Sequence, residues 1–164
     1  MYVVSDATPI ISLLKINQMH ILKKIFNEVV VPDAVYKEIT SNKGQFCNEF
    51  KLFTECDFIK RRTVKNQLAV KVLRSQAGLD IGESESIALV SEFENSVLII
   101  DELKGRKVAL EMGIRITGTL GILLKAKKMG VINKLKPLLN DMMKNNIRIS
   151  DNLYNSILSE ANEI

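Results

Sequence analysis

The sequence predicts an α/β domain built on a mostly parallel sheet. Short apolar segments with strand character alternate with segments in which apolar residues recur at helical spacing, which is the pattern of βαβ units. The run Val97–Ile100 has no polar side chain, as is typical of a central parallel strand covered on both faces. Two of the apolar segments end at an aspartate, Asp6 and Asp101, at the edge where parallel sheets place their ligands.

Strands are predicted at residues 2–5, 28–32, 96–101 and 114–117. Helices are predicted at residues 8–14, 18–26, 33–39, 82–93, 104–112, 120–129, 135–143 and 150–161. The first strand is β-prone and ends before Asp6, and Pro9 suits the first turn of the helix that follows. Pro32 stops the second strand, whereas Gly113 and Gly130 close two of the later helices.

Two stretches are less regular. A turn or loop is predicted at residues 41–44, and residues 57–72 fit either a strand or a helix. No internal repeat or linker interrupts the pattern, so residues 1–164 are predicted to form one domain.

Composition excludes several classes of protein. Apolar residues make up 46% and charged residues 26%, and no apolar run approaches the roughly 20 residues that span a bilayer. The first residues carry Asp6 and no basic leader, so they indicate structure rather than a signal peptide. Cys47 and Cys56 lack the spacing of a disulfide scaffold or zinc site, which favours a reducing, cytoplasmic compartment. The net charge of +4 is compatible with a nucleic-acid partner without establishing one.

Four carboxylates are predicted to gather at one edge of the sheet. Asp6 and Asp101 follow strands, and Glu38 and one of Glu83 or Glu85 can reach the same edge from helices. Close carboxylates repel each other unless a cation lies between them, and hard oxygen ligands suit Mg²⁺ or Mn²⁺. Such an ion activates a bound water and neutralises charge on a phosphodiester.

Each of these acids also has a purely structural explanation. Asp6 could cap a helix, Asp101 could be a turn residue, and Glu38 could be a solvated surface side chain. Glu83 and Glu85 fit a first helical turn, where acids complement the helix dipole. They point about 200° apart on a helix, so only one should face the site. The prediction favours Glu83, because it lies in line with apolar positions, and rests on the joint placement of the acids.

Basic residues follow the second aspartate. Lys104, Arg106 and Lys107 are predicted to hold a phosphate backbone beside the acids, although a solvated helix face explains them as well. The turn at residues 118–121 resembles a small phosphate-binding turn at a helix N-terminus, and a tight connection explains it equally.

Six segments, in order along the chain, resemble the PIN-like proteins of the DUF3368 family, relatives of the VapC toxin nucleases. They are VSDATPII, VVVPDAVYKEI, GESESIAL, LIIDELKGRKVALEMGI, ITGTLGILLKAKKMGVI and RISDNLY, and they span roughly residues 2–158. The resemblance implies a three-layer α/β/α sandwich and an endoribonuclease that depends on Mg²⁺ or Mn²⁺. It also implies RNA as substrate, a small antitoxin protein as partner, and a homodimer.

The family's acidic site matches this chain by position. The resemblance assigns catalysis and metal binding to Asp6, Glu38, Glu83 and Asp101. Many PIN enzymes carry an aspartate before the central helix, where the matched segment here reads Gly-Glu-Ser-Glu, and this leaves open which glutamate serves. Thr8 and Thr119 resemble the hydroxyl residues that line such sites. Two rival functions stay open: a catalytically inactive PIN-like interaction module, and a receiver-like phosphoryl-transfer domain.

Overall fold

The computed structural model describes residues 1–41 and 47–164. The strands are β1 (Tyr2–Ser5), β2 (Val29–Pro32), β3 (Ile59–Arg62), β4 (Ser96–Ile99) and β5 (Ile116–Thr117). The helices are α1 (Ala7–Lys15), α2 (His20–Phe26), α3 (Asp33–Ser41), α4 (Cys47–Thr54), α5 (Gln67–Ser75), α6 (Ile81–Val90), α7 (Leu103–Glu111), α8 (Thr119–Lys128), α9 (Lys136–Lys144) and α10 (Asp151–Glu160). Within the described ranges, no helix has the length and apolar character needed to cross a membrane.

The five strands form one sheet in the order β3-β2-β1-β4-β5, and every pair is parallel. The predicted parallel α/β sheet is therefore confirmed. Strands β1 and β4 are neighbours, with Ser5 opposite Ile99, so Asp6 and Asp101 follow adjacent strand ends. This order differs from the 2-1-3-4-5 order of receiver domains, which removes the structural basis for the receiver-like alternative.

Each face of the sheet is covered by its own hydrophobic core. Successive strand residues point to opposite faces, so Val3 packs into one core and Val4 into the other. The first core draws on α1, α2, α3, α4, α8, α9 and α10, and the second on α5, α6 and α7. Helices thus lie on both sides of the sheet, which confirms the predicted three layers.

The structure corrects several element boundaries and resolves one ambiguous stretch. The helix predicted at 82–93 ends at Val90, and the strand predicted at 114–117 begins only at Ile116. The central helix does not begin at Gly82 but at Ile81, because the Asp80 side chain caps it by accepting a hydrogen bond from the Glu83 N–H. Likewise, β4 ends at Ile99. Residues 57–72 divide into the edge strand β3 and the first part of α5. The turn predicted at 41–44 falls largely on residues outside the described ranges.

Candidate active site

Asp6 occupies the C-terminal end of the central strand. It follows β1 directly, and its backbone N–H donates to the carbonyl of Ile99 in β4 at 2.9 Å. Although it stands at the N-cap position of α1, its side chain makes no capping hydrogen bond to that helix. The side chain is nevertheless buried, with the residue only 5% exposed. Capping therefore does not account for this aspartate.

Glu38 reaches the same edge from α3, and α3 is held in place by its neighbours. At the start of this helix the backbone N–H of Ala34 donates to Glu85 Oε2 at 2.8 Å. Asp33 is bound by Arg61 of β3. Glu85 of α6 therefore serves the helix that carries Glu38, and this bond directs the Glu85 carboxylate toward the α3 backbone.

Asp80 is an acid that the sequence interpretation missed. It forms a capping box with Glu83: Asp80 Oδ1 accepts from the Glu83 N–H at 2.8 Å, and Glu83 Oε2 accepts from the Asp80 N–H at 3.0 Å. The pair follows the Asp-x-x-Glu pattern that marks a helix start. That pattern is the signal by which the sequence alone could have located Asp80. The capping box fixes both carboxylates at the N-terminus of α6.

The acids from three elements converge around Gly82. A Cβ atom placed on this glycine would lie 3.4 Å from Glu38 Oε2, 3.5 Å from Asp6 Oδ1 and 3.5 Å from Asp80 Oδ1. The absence of a side chain at Gly82 thus leaves room for three carboxylates to approach one point. We call Asp6, Glu38, Asp80 and Glu83 the carboxylate cluster.

The cluster is electrostatically strained. Burial raises the pKa of Asp6 to about 7; the Ala7 N–H opposes this shift, whereas the charges of Asp80, Glu83 and Glu38 add to it. Glu38 is exposed as a residue, but partial burial of its carboxyl group raises its pKa, and Asp80 and Glu83 raise it further. Burial and the neighbouring carboxylates thus both make Asp6 and Glu38 harder to ionise.

Glu83 shows the same behaviour. Burial raises its pKa, the hydrogen bond from the Asp80 N–H lowers it, and the charge of Asp80 raises it again. The charges of Glu102 and Lys104 act in opposite directions on it. Glu83 is 7% exposed, so its carboxylate depends on these few partners.

Comparison with protein families gives one decisive result. A family model described as a PIN domain, DUF3368, matches residues 2–163. The chain belongs to the DUF3368 family of PIN domains. Neither the curated proteins nor the solved structures contain a match. PIN domains are generally nucleases, so the carboxylate cluster lies on a fold that commonly serves nucleic-acid cleavage.

Asp80 was not among the predicted site residues. It lies two residues ahead of the Gly-Glu-Ser-Glu segment, at the N-cap of the central helix. Asp80 was missed because the helix was taken to begin at Gly82, which placed the aspartate in the preceding loop.

Asp101 of this PIN domain has a different environment from the cluster. Its Oδ1 accepts from the Thr119 N–H at 2.8 Å, and its Oδ2 accepts from the Thr119 hydroxyl at 2.6 Å. Both oxygens thus hold the N-terminus of α8, although each carboxylate oxygen has a further lone pair. Asp101 and Thr119 also line a cavity that includes Thr8.

The three predicted phosphate-binding residues are placed differently from one another. Lys104 is exposed, and its Nζ donates to the Gly78 carbonyl at 3.1 Å. Arg106 is half-buried, and its Nη1 donates at 2.7 Å to the carbonyl of Ile100, the residue that lies between β4 and Asp101. Lys107 is exposed. Nucleic-acid binding by these residues stays a prediction, and Lys104 is the one whose charge acts on the cluster.

Proposed function

We propose that this PIN domain is a metal-dependent endoribonuclease whose active centre is the carboxylate cluster together with Asp101. The observation that carries the proposal is the approach of three carboxylate oxygens, from Asp6, Glu38 and Asp80, to within 3.4–3.5 Å of one point beside Gly82. Like charges converge in this way in a folded protein when a cation compensates them.

The donor set fits Mg²⁺ or Mn²⁺ by its chemistry. All donors are hard carboxylate oxygens. The pKa values of Asp6, Glu38 and Glu83 are raised mainly by burial, and the neighbouring acids whose charges add to the shift would be offset by a bound divalent cation. In the described part of the chain, no three His, Cys, Asp or Glu side chains are arranged so that they could hold a metal ion as they stand. Holding Mg²⁺ or Mn²⁺ would therefore require the acids to move closer together by side-chain rotation.

Different residues of the chain would bind the ion, position its ligands and contact the phosphate. Asp6, Glu38, Asp80 and Asp101 would hold the ion, and Glu83 joins them while its capping box keeps Asp80 in position. A bound divalent ion supplies an acidified water and charge neutralisation at the phosphodiester. Asp101 holds the Thr119 hydroxyl at the edge of the site. Lys104 places a positive charge near Glu83, where an approaching phosphate would benefit from it.

The test separates charge from capping. Asp80→Asn keeps an N-cap residue of equal strength but removes the carboxylate charge. We expect it to lose at least about 100-fold in RNA cleavage with Mn²⁺, since even outer-shell changes cost about 10–100-fold. Asp6→Asn and Asp101→Asn should lose cleavage as well. The matched control is Asp57→Asn. The side chain of Asp57 is 79% exposed and forms an ion pair with Lys23, which is not part of the cluster. Wild-type cleavage by Asp80→Asn and Asp6→Asn, with unchanged circular dichroism, would reject the mechanism and favour the inactive interaction module.

The relation to VapC toxins extends the proposal to a biological setting. A ribonuclease of this kind would act as the toxin of a toxin–antitoxin pair and would be held inactive by a small partner protein. Expression in a bacterial host should then arrest growth, and Asp80→Asn should abolish the arrest. Growth that is equally slow with both proteins would contradict the toxin role, because the effect would not depend on cleavage.

A further inference from the structure

A cleft of about 450 Å³ opens at the same edge of the sheet as the carboxylate cluster. It begins at Asp101 and Thr119 and runs between α1 and the segment 146–149, which joins α9 to α10. We call it the 146–149 cleft. Its volume lies within the range of about 300–1,000 Å³ that is usual for small-ligand sites and is enough for one nucleotide.

The lining of the cleft is amphipathic. Apolar side chains such as Ile11, Leu120 and Met142 form part of it, and the cationic residues Lys15 and Arg148 lie among them. A nucleotide has the same two chemical parts, because its base has an apolar face and its phosphate is an anion. Among the described residues, Arg148 belongs to none of the ion pairs, so its charge is not already neutralised by a carboxylate.

The positive charge continues beyond the cleft. Residues 125–148 contain seven Lys and Arg residues and a single acid, Asp141, whereas the whole chain has 23 basic and 19 acidic residues. Two of the seven, Lys127 and Lys128, form ion pairs with Glu163 and Glu160, which leaves five basic residues in this segment outside those ion pairs. Arg148 also lines a second, more open cavity of about 720 Å³ together with Asn146 and Ser150. It therefore borders both spaces, and a strand that leaves the cleft past Arg148 could keep its phosphates near this charge. This charge distribution favours a polyanion as the occupant.

We propose that the 146–149 cleft binds one nucleotide of single-stranded RNA next to the site of cleavage, with its base on the apolar lining and its phosphate at Arg148. The inference rests on the proposed nuclease function, since it takes the RNA to be the substrate of the adjoining acids. A base-paired strand cannot fill the cleft in this way, because its bases are stacked inside the duplex. The cleft therefore selects unpaired RNA.

The experiment measures binding without cleavage. A 12-nucleotide fluorescent single-stranded RNA is titrated with the full chain in EDTA, and the dissociation constant is read from anisotropy at several salt concentrations. Arg148→Ala should weaken binding on the order of fivefold and reduce the slope of log K against log salt by about 1. The matched control is Lys134→Ala, which removes the same charge from an exposed residue outside the cleft. It should change the dissociation constant less than about twofold. A duplex of the same sequence should bind at least about tenfold more weakly than the single strand.

Three results would overturn the proposal. Equal effects of Arg148→Ala and Lys134→Ala would mean that the surface attracts RNA without a specific cleft. Equal binding of the duplex would remove the selection for unpaired bases. Unchanged RNA affinity in Arg148→Ala would leave the cleft to another occupant, such as a protein segment. Because binding is measured in EDTA, the two proposals can fail separately. A wild-type protein that binds RNA as expected but never cleaves it would refute the nuclease proposal alone. Normal cleavage, together with unaffected RNA binding in Arg148→Ala, would refute the cleft proposal alone.

Discussion

Asp6→Asn should stabilise the metal-free protein, and the gain should depend on pH. In the folded protein the pKa of Asp6 is raised from 3.8 to about 7, mainly by burial. Between these two values the folded chain keeps a proton that the unfolded chain releases, so the free energy of unfolding falls as pH rises from about 4 to 7 and then levels off. Three pKa units correspond to about 4 kcal/mol, and relaxation of the surroundings should leave a measured gain of about 2–4 kcal/mol at pH 8. Asparagine has the same shape and no charge, so the variant escapes this cost.

The assay is urea unfolding followed by circular dichroism in EDTA at pH 4, 6 and 8. Wild type and Asp6→Asn should have similar stability at pH 4 and diverge as pH rises. Asp57→Asn, at a 79% exposed side chain, is the matched control and should follow wild type throughout. Adding Mg²⁺ at pH 8 should stabilise wild type more than Asp6→Asn, because the cation offsets the charge that the variant lacks. The reasoning is refuted if Asp6→Asn is no more stable than wild type at pH 8, or if the difference is the same at pH 4.

One further prediction concerns a residue near the cluster. Glu85→Ala removes the acceptor for the Ala34 N–H at the start of the helix that carries Glu38, and should weaken Mn²⁺ binding by about 10-fold in calorimetry. Glu85→Gln keeps an acceptor oxygen and should stay close to wild type; identical behaviour of the two variants would show that the hydrogen bond does not position Glu38.

The fold could be predicted from the sequence where buried segments have a simple apolar pattern. Strand β2 is buried at every position and β4 is mostly apolar, so their sequences predict strands in the interior of the sheet. Strand β3 stayed ambiguous in the sequence because it is an edge strand with the sequence IKRR and is largely exposed, as edge strands that resist aggregation usually are. The order of the strands depends on packing between distant segments, which no local pattern contains.

The choice between Glu83 and Glu85 shows the limit of helical-face arguments. A helical face identifies a site residue only where the helix has one buried and one exposed face. Helix α6 is buried on nearly every side, since it contacts the sheet and the helices α3, α5 and α7. Hydrogen bonds distinguish the two glutamates instead. Glu83 turns back to the Asp80 N–H, and Glu85 turns to the Ala34 N–H of α3.

The position of α6 bears on the proposal that a cation completes the cluster. The N-terminus of a helix carries a partial positive charge, and here it points at Asp6, Glu38 and Asp80 through Gly82. The Asp80 and Glu83 side chains already take up two of the first backbone N–H groups through their capping box, so this end of the helix is partly neutralised by the acids themselves. The pKa values of Asp6 and Glu38 stay raised in spite of the helix. Under the proposed function a divalent ion would offset the remaining negative charge, and its binding should then be coupled to the release of protons from these two acids.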